Sequence, residues 1–413
     1  MRLSPRGLPA VLALCTALSG CGGRFDLPTE RPAGRVVPSD GSYSQIGNWT
    51  NSMDGVQDLL ITQGQGNQLF VLFNQGGSGG PSVARGEVRL YPLTKDKPIV
   101  GRFFSPMRTL FNPVALASGL NPFASRPEDH LNLFVLDQGD SCLAKFDVRR
   151  GTCAPDKDTT HATEHPFRSQ IFDYQATWRV REYPISGGDT LSTFTDTTVA
   201  LPWGIAADEQ GRVYVGGFAV FLDSLLTNKT IRTRKLVSRI YRYSRGPRYP
   251  GIPDVNMPGT ATWHRDSTWL VLDGTGDSFV SDPRGLHWSR LGTGPLFVAD
   301  RGNNQVKGVS TNLISVPVVN VDGQVTGASF NSPEDVMADL AGFFYVVDRR
   351  NSRVLRYGAS GEFIQRLDVP SNPSDQVLRD PVAIAVDDSL AYVADRGDNT
   401  PGSAHIVLFK RLP

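Results

Sequence analysis

The sequence is poor in the residues that usually announce chemistry. It has four cysteines and six histidines in 413 residues. Neither Cys142 nor Cys153 stands in a Cys-x-x-Cys spacing, which argues against thioredoxin-type redox chemistry and ribbon-type zinc sites. Phosphate-loop and dinucleotide fingerprints are absent. Basic and acidic residues nearly cancel, 42 against 41, so the chain lacks the one-sided field that nucleic acid or a membrane surface would select. Past the first twenty residues, no apolar run is long enough to span a bilayer. Glycine and proline are abundant instead, at 42 and 29, as many tight turns between many short strands require.

The N-terminus reads as a processing signal. Arg2 and Arg6 precede an apolar run from Leu8 to Leu18, which is too short to cross a membrane. The run ends in Leu18-Ser19-Gly20-Cys21, which resembles the lipobox of bacterial lipoproteins. That resemblance implies cleavage before Cys21, lipid on its sulfur and amine, and a soluble domain tethered to a membrane. Several acyl chains anchor stably where one would be marginal. An ordinary secretory signal that happens to end near a cysteine is the alternative. Gly22 rather than Asp after the lipidated residue leans toward outer-membrane sorting under the usual lipoprotein rules, hence toward a Gram-negative cell envelope. The expected division is a signal peptide over 1–20, a Gly/Pro-rich tether over 21–42 and a folded domain over 43–413. Cys142 and Cys153 flank a Gly-containing turn in an exported chain, so a local disulfide is expected there.

The most informative feature is a repeat. Leu296-Phe-Val-Ala-Asp300-Arg301-Gly302-Asn303, Phe344-Tyr-Val-Val-Asp348-Arg349-Arg350-Asn351 and Ala391-Tyr-Val-Ala-Asp395-Arg396-Gly397-Asp398 place their first aspartates 48 and 47 residues apart. Pro-led strands such as Pro333-Glu-Asp-Val-Met-Ala338 and Pro381-Val-Ala-Ile-Ala-Val386 open the units, and third and fourth strands follow after polar turns. This grammar predicts four antiparallel strands per unit in a radial array. It resembles the NHL repeat, whose family implies a β-propeller, usually of six blades. One further unit is clear from Leu201, and weaker ones open near Asn112 and Asp58, making six. The last unit ends at Pro413 without a fourth strand. A ring left so would expose an open seam, so Ser42–Gly47 is expected to supply the missing outer strand.

Pro-led openings and Asp-Arg turns fall on one face of such a ring, together with three apparent insertions at Gly76–Arg85, Cys142–Tyr174 and Phe218–Lys235. Trp203, Arg284, Glu334 and Asp335 follow opening prolines and belong near the mouth of the channel. Arg301, Arg349, Arg350 and Arg396 follow the turn aspartates. Two readings stand for these arginines: a guanidinium ring for an anionic or polymeric partner, or clamps that pair between blades. The turn aspartates are expected to accept backbone N–H groups in their own turns. His287 sits in a first strand close to the axis and is expected to be a hydrogen-bonded lining residue. Some NHL-type lyases hold zinc with histidines from different blades, but no such ligand set can be assigned here. The basic stretch Lys229–Arg245 is expected to be one solvated strand rather than a binding patch.

The expected function is binding: an all-β, six-bladed, lipid-anchored propeller, monomeric and without a cofactor, serving an envelope protein or polysaccharide. The alternative is a lyase or lactonase-like hydrolase using a divalent cation in the central channel.

Overall fold

The computed structural model describes residues 42–50, 53–62, 68–74, 86–93, 101–102, 110, 112–120, 131–138, 146–147, 152–153, 179–184, 192–194, 196, 199–223, 233–246, 262–274, 279–289, 296–309, 315–319, 330–359, 361–367, 377–387, 389–398 and 400–412. Apart from one two-stranded ribbon, these form six mainly antiparallel sheets around an axis. Blade 1 comprises Val56–Thr62, Gln68–Asn74, Gly86–Pro92 and Gly101–Arg102, from axis to rim. Blade 2 comprises Pro113–Leu120, Leu131–Asp137, Arg179–Pro184 and Ser192–Phe194. Blade 3 comprises Val199–Ala207, Val213–Asp223, Thr233–Gly246 and Thr262–Asp273, with Phe279–Val280 added in parallel at its edge. Blade 4 comprises Pro283–Trp288, Leu296–Asp300, Gln305–Val309 and Ser315–Val319. Blade 5 comprises Pro333–Ala338, Phe344–Asp348, Arg353–Tyr357 and Phe363–Arg366. Blade 6 comprises Pro381–Val386, Leu390–Asp395 and His405–Arg411, and takes its fourth strand, Tyr43–Trp49, from the other end of the chain.

The apolar runs that define the repeat follow from this arrangement. Each second strand is packed on both faces by neighbouring blades, so Leu296–Asp300 and Phe344–Asp348 are buried at every position. A strand covered on both sides reads as continuous hydrophobics rather than as an alternation. Six buried apolar clusters fill the six gaps between blades. Phe70, Leu72 and Val88 meet Leu116, Leu133 and Val135 between blades 1 and 2, for example. Such side chains each contribute about 1.5–3 kcal/mol on full burial.

Aspartates punctuate the blades in two ways. Asp339, at the end of blade 5's first strand, accepts the N–H groups of Ala341 and Phe343 at 2.9 and 3.0 Å and closes the turn into the second strand. Asp208 and Asp387 do the same in blades 3 and 6. Asp300, Asp348 and Asp395 end second strands and are fully buried. They accept backbone N–H groups as expected, but mostly from a different segment. Ser281, Asn331, Arg379 and Asp380 donate at 2.6–2.9 Å from the stretches leading into the first strands, and only Gly397 donates from within the turn. Each of these aspartates therefore fixes where its own blade begins.

The closing strand does more than fill an edge. Tyr43–Trp49 pairs antiparallel with His405–Arg411, a residue or two longer than expected. Trp49 stacks on Tyr91 of blade 1 at 5.3 Å and leans on Tyr392 of blade 6 at 5.5 Å. Tyr43 exchanges backbone hydrogen bonds with the Gln365 side chain of blade 5 at 2.8 and 2.9 Å.

Two expectations change. Phe218–Lys235 is not wholly an inserted loop, because Phe218–Asp223 and Thr233–Ser238 continue blade 3's second and third strands in register. Gly217 lies where an added Cβ would meet Leu201 O at 2.3 Å, so this glycine serves close strand approach and not a turn. The described part of the basic stretch is a strand, and two of its arginines are paired rather than solvated. Arg242 pairs with Asp266, and Arg245 pairs with Glu182. Cys21 and Cys142 lie outside the described residues. Cys153 falls in a short strand, Thr152–Cys153, paired with Phe146–Asp147.

Candidate functional site

The first strands of all six blades enclose a central cavity of about 320 Å³. Eight of the nine residues singled out from sequence line it: Trp203, Arg284, His287, Arg301, Glu334, Asp335, Arg349 and Arg396. Arg350 does not; its side chain is exposed.

The mouth is built from the repeat itself. In blades 4 and 5 a short 3₁₀ turn starts at the arginine after the second-strand aspartate, over Arg301–Asn303 and Arg349–Asn351. Both turns end on a left-handed residue, Asn304 or Ser352. The turn aims each arginine at the next blade. Arg301 reaches Glu334 of blade 5, with Nη1 3.6 Å from Oε2. Arg349 forks onto Asp380, just before blade 6, with Nε and Nη2 donating at 2.5 and 2.9 Å. Arg396 donates from Nε to Val56 O at 3.2 Å and from Nη2 to Gln57 Oε1, both in blade 1. The two readings of these arginines therefore merge. They are clamps between consecutive blades, and the clamps together rim the cavity.

Arg284 completes the rim. Its guanidinium lies 3.9 Å above the Trp203 ring and pairs with Asp282, with Nε 2.9 Å from Oδ1. Cation–π contact and ion pairing together hold a charge that burial disfavours. Burial lowers the pKa of Arg284, and burial followed by repulsion from Arg349 lowers that of Arg396. Arg349 moves the other way, held charged chiefly by its hydrogen bonds to Asp380. Glu334 is shared: Arg301 and Arg349 approach the same buried Oε2 at 3.6 and 3.5 Å. These separations give ion pairing without a hydrogen bond, and this oxygen accepts none.

Besides Glu334, the carboxyls of Asp58, Asp335 and the turn-closing Asp339 line the cavity, and sequence reasoning placed only Asp335 of these three in the site. Asp335 accepts N–H from Val336 at 2.8 Å and, across the blade boundary, from Ile384 at 2.9 Å. Asp58 holds the same place in blade 1, accepting from Leu59 at 2.7 Å and from Leu116 of blade 2 at 2.6 Å. Each follows a register shift in its first strand, two residues after Pro333 or Val56. Gly285 occupies that position in blade 4, where an added Cβ would come within 2.4 Å of Asp335 Oδ1. Burial pushes Asp335 up to about 7, and burial reinforced by the charge of Asp335 pushes Asp58 well above the usual carboxylate range. At neutral pH the pair thus carries less than two full negative charges.

Among the described residues, no three His, Cys, Asp or Glu side chains are grouped to hold a metal ion. The partners Gln57, Asp58, Asp282 and Asp380 were not among the residues singled out. Asp282 and Asp380 carried a readable signal, since each immediately precedes an opening proline.

Fold and site together define a six-bladed β-propeller with a charged axial cavity. No protein-family model matches the chain, and no curated protein matches it in sequence. Among solved structures, the chain is similar to a PQQ-bound aldose sugar dehydrogenase from Streptomyces coelicolor at 14% identity, covering 91% of this chain and 99% of that one with a TM-score of 0.44. It is also similar to virginiamycin B lyase from Staphylococcus aureus at 9% identity, covering 90% and 99% with a TM-score of 0.45. A third is regucalcin, a calcium-binding protein from Agrobacterium tumefaciens, at 10% identity, covering 90% and 97% with a TM-score of 0.44. These likenesses carry no argument about activity.

Proposed function

We propose that this chain is a lipoprotein of the cell envelope, built of NHL-type repeats, that acts by binding. Cys21 carries the lipid that holds it, at the outer membrane of a Gram-negative bacterium, and the Cys142–Cys153 disulfide staples one of its loops. Its partner is an envelope protein or glycan that presents an anionic group to the mouth of the channel. The observation that carries this reading is the convergence of Arg284, Arg301, Arg349 and Arg396 on one cavity. Guanidiniums fixed by their own clamps are preorganised for a planar anion, so little ordering entropy remains to be lost on binding.

The alternative of a metal-dependent hydrolase or lyase draws on the raised pKa of Asp335, which suits an acid–base group. Its donor set does not fit a divalent cation. Asp58 and Asp335 each already accept two backbone N–H bonds, and no third ligand joins them among the described residues. Replacing Trp203, Arg284 and Glu334 together with Ala is expected to abolish partner capture in a pull-down from envelope extracts. Capture equal to wild type would remove the mouth as the binding face. Stoichiometric zinc or calcium in the purified protein would favour the enzyme.

A further inference from the structure

One pairing in the mouth does not close to hydrogen-bond distance, and its position says what the site recognises. Three of the four arginines are committed. Arg284 has Asp282 and the Trp203 ring, Arg349 has both oxygens of Asp380, and Arg396 has Val56 and Gln57. Arg301 has no such fork; its Nε is 3.5 Å from Asp282 Oδ2. Its Nη1 and the remaining Nη1 of Arg349 point at one oxygen, Glu334 Oε2, from 3.6 and 3.5 Å. That oxygen is buried and accepts no hydrogen bond. A carboxylate free to settle between two guanidiniums would close to hydrogen-bond distance, at about 2.7–2.9 Å. Glu334, on the first strand of blade 5, stands off from both.

We propose that the mouth takes the carboxylate of a uronic-acid sugar, and that Glu334 is a built-in competitor for the Arg301–Arg349 pair. This rests on the reading of the mouth as an anion-binding face. The charge count sets the anion. Four guanidiniums line the cavity with four carboxyls, Asp58, Glu334, Asp335 and Asp339. Burial pushes Asp335 up to about 7 and Asp58 above the usual carboxylate range, so any positive surplus is small and suits a monoanionic carboxylate better than a phosphate dianion. The cavity sets the carrier: about 320 Å³ admits a single sugar ring but not a folded partner. The lining sets the rest. Trp203 has a buried Nε1 with no hydrogen-bond partner, which offers a donor to a sugar oxygen. Asp58 and Asp335 lie on the wall below, where carboxyls pair with hydroxyls. An arriving carboxylate takes the two Nη1 groups from Glu334 and makes the short bonds that Glu334 does not.

The test is calorimetric titration of the full folded domain with oligogalacturonate, its methyl-esterified form and inorganic phosphate. Wild type is expected to bind the free acid and neither of the others. Glu334→Gln, which keeps the shape and removes the competing charge, is expected to tighten oligogalacturonate binding by about tenfold. Glu334→Ala is expected to tighten it as well, and R301A/R349A to lose it. Unchanged or weaker binding by both Glu334 variants overturns the competitor role. Equal binding of acid and ester, tighter binding of phosphate, or no binding by any protein overturns the uronate assignment. Envelope-protein capture that is lost when Trp203 and Arg284 alone are replaced with Ala would then leave the mouth as the binding face with a different partner.

Discussion

Deleting residues 22–48 lowers the melting temperature by about 10 °C or more, on the scale expected when several kcal/mol are lost from a domain of this size. The deleted stretch carries most of the strand that closes blade 6. Its loss removes the ladder to His405–Arg411, the burial of Tyr43 and the exchange between Tyr43 and Gln365. It also frees Trp49 from the strand that seats it between Tyr91 and Tyr392, where blades 1 and 6 meet. The damage therefore reaches blade 6, the one blade whose strands come from both ends of the chain. A deletion of 22–41, which spares the strand, is expected to leave the transition where it was. Thermal unfolding of the two variants decides the matter, and an unchanged transition in the longer deletion contradicts closure by this strand.

Lys307→Met is the single substitution with the largest expected cost. Lys307 and Asp300 are both fully buried, with Nζ 2.8 Å from Oδ2, and the same ammonium donates to Phe279 O at 2.5 Å. Removing it leaves a carboxylate inside blade 4 with, among the described residues, Ser281 and Asn303 as donors. Breaking such a pair costs about 3–5 kcal/mol, because the remaining charge is stranded. For a domain of this length that corresponds to about 5 °C in Tm. Burial already raises the pKa of Asp300, with Lys307 among the groups that oppose the rise. Without Lys307 the folded-state pKa climbs further above the unfolded value. Protonation then favours the folded state, so the deficit should shrink as pH falls through that raised pKa and be greatest above it. D300N/K307M, which removes the stranded charge, is expected to recover about half of the loss. A Tm for Lys307→Met within a degree of wild type would contradict the pairing.

The ring was legible because its grammar is local. Opening prolines, second strands ending in Asp and the Arg that follows each fall within a few residues of one another, and the period then repeats them. The missing fourth strand was legible from topology alone, since an unpaired edge has to be covered. What the sequence hid was pairing across blades. Asp58 and Asp335 are far apart in the chain, and Asp58 lies in the one unit without an opening proline to mark its register. Arg301, Arg349 and Arg396 were visible as a set, but their partners depend on which way the turn after each second strand throws the side chain, a 3₁₀ turn for Arg301 and Arg349. The blade 3 ribbon was misjudged for a related reason. Only the facing backbone of Leu201-Pro202 shows that Gly217 marks a place for strands to touch.

Crosslinking in the native envelope, followed by mass spectrometry, most directly tests whether the arginine-rimmed mouth is where this protein works. Photoreactive residues placed beside the mouth, at Arg350 and Asn303, should give adducts with an envelope component that are lost in the Trp203, Arg284, Glu334 triple-alanine variant. Adducts that persist in that variant, or that form only from the outer strands such as Phe363–Arg366, would contradict it.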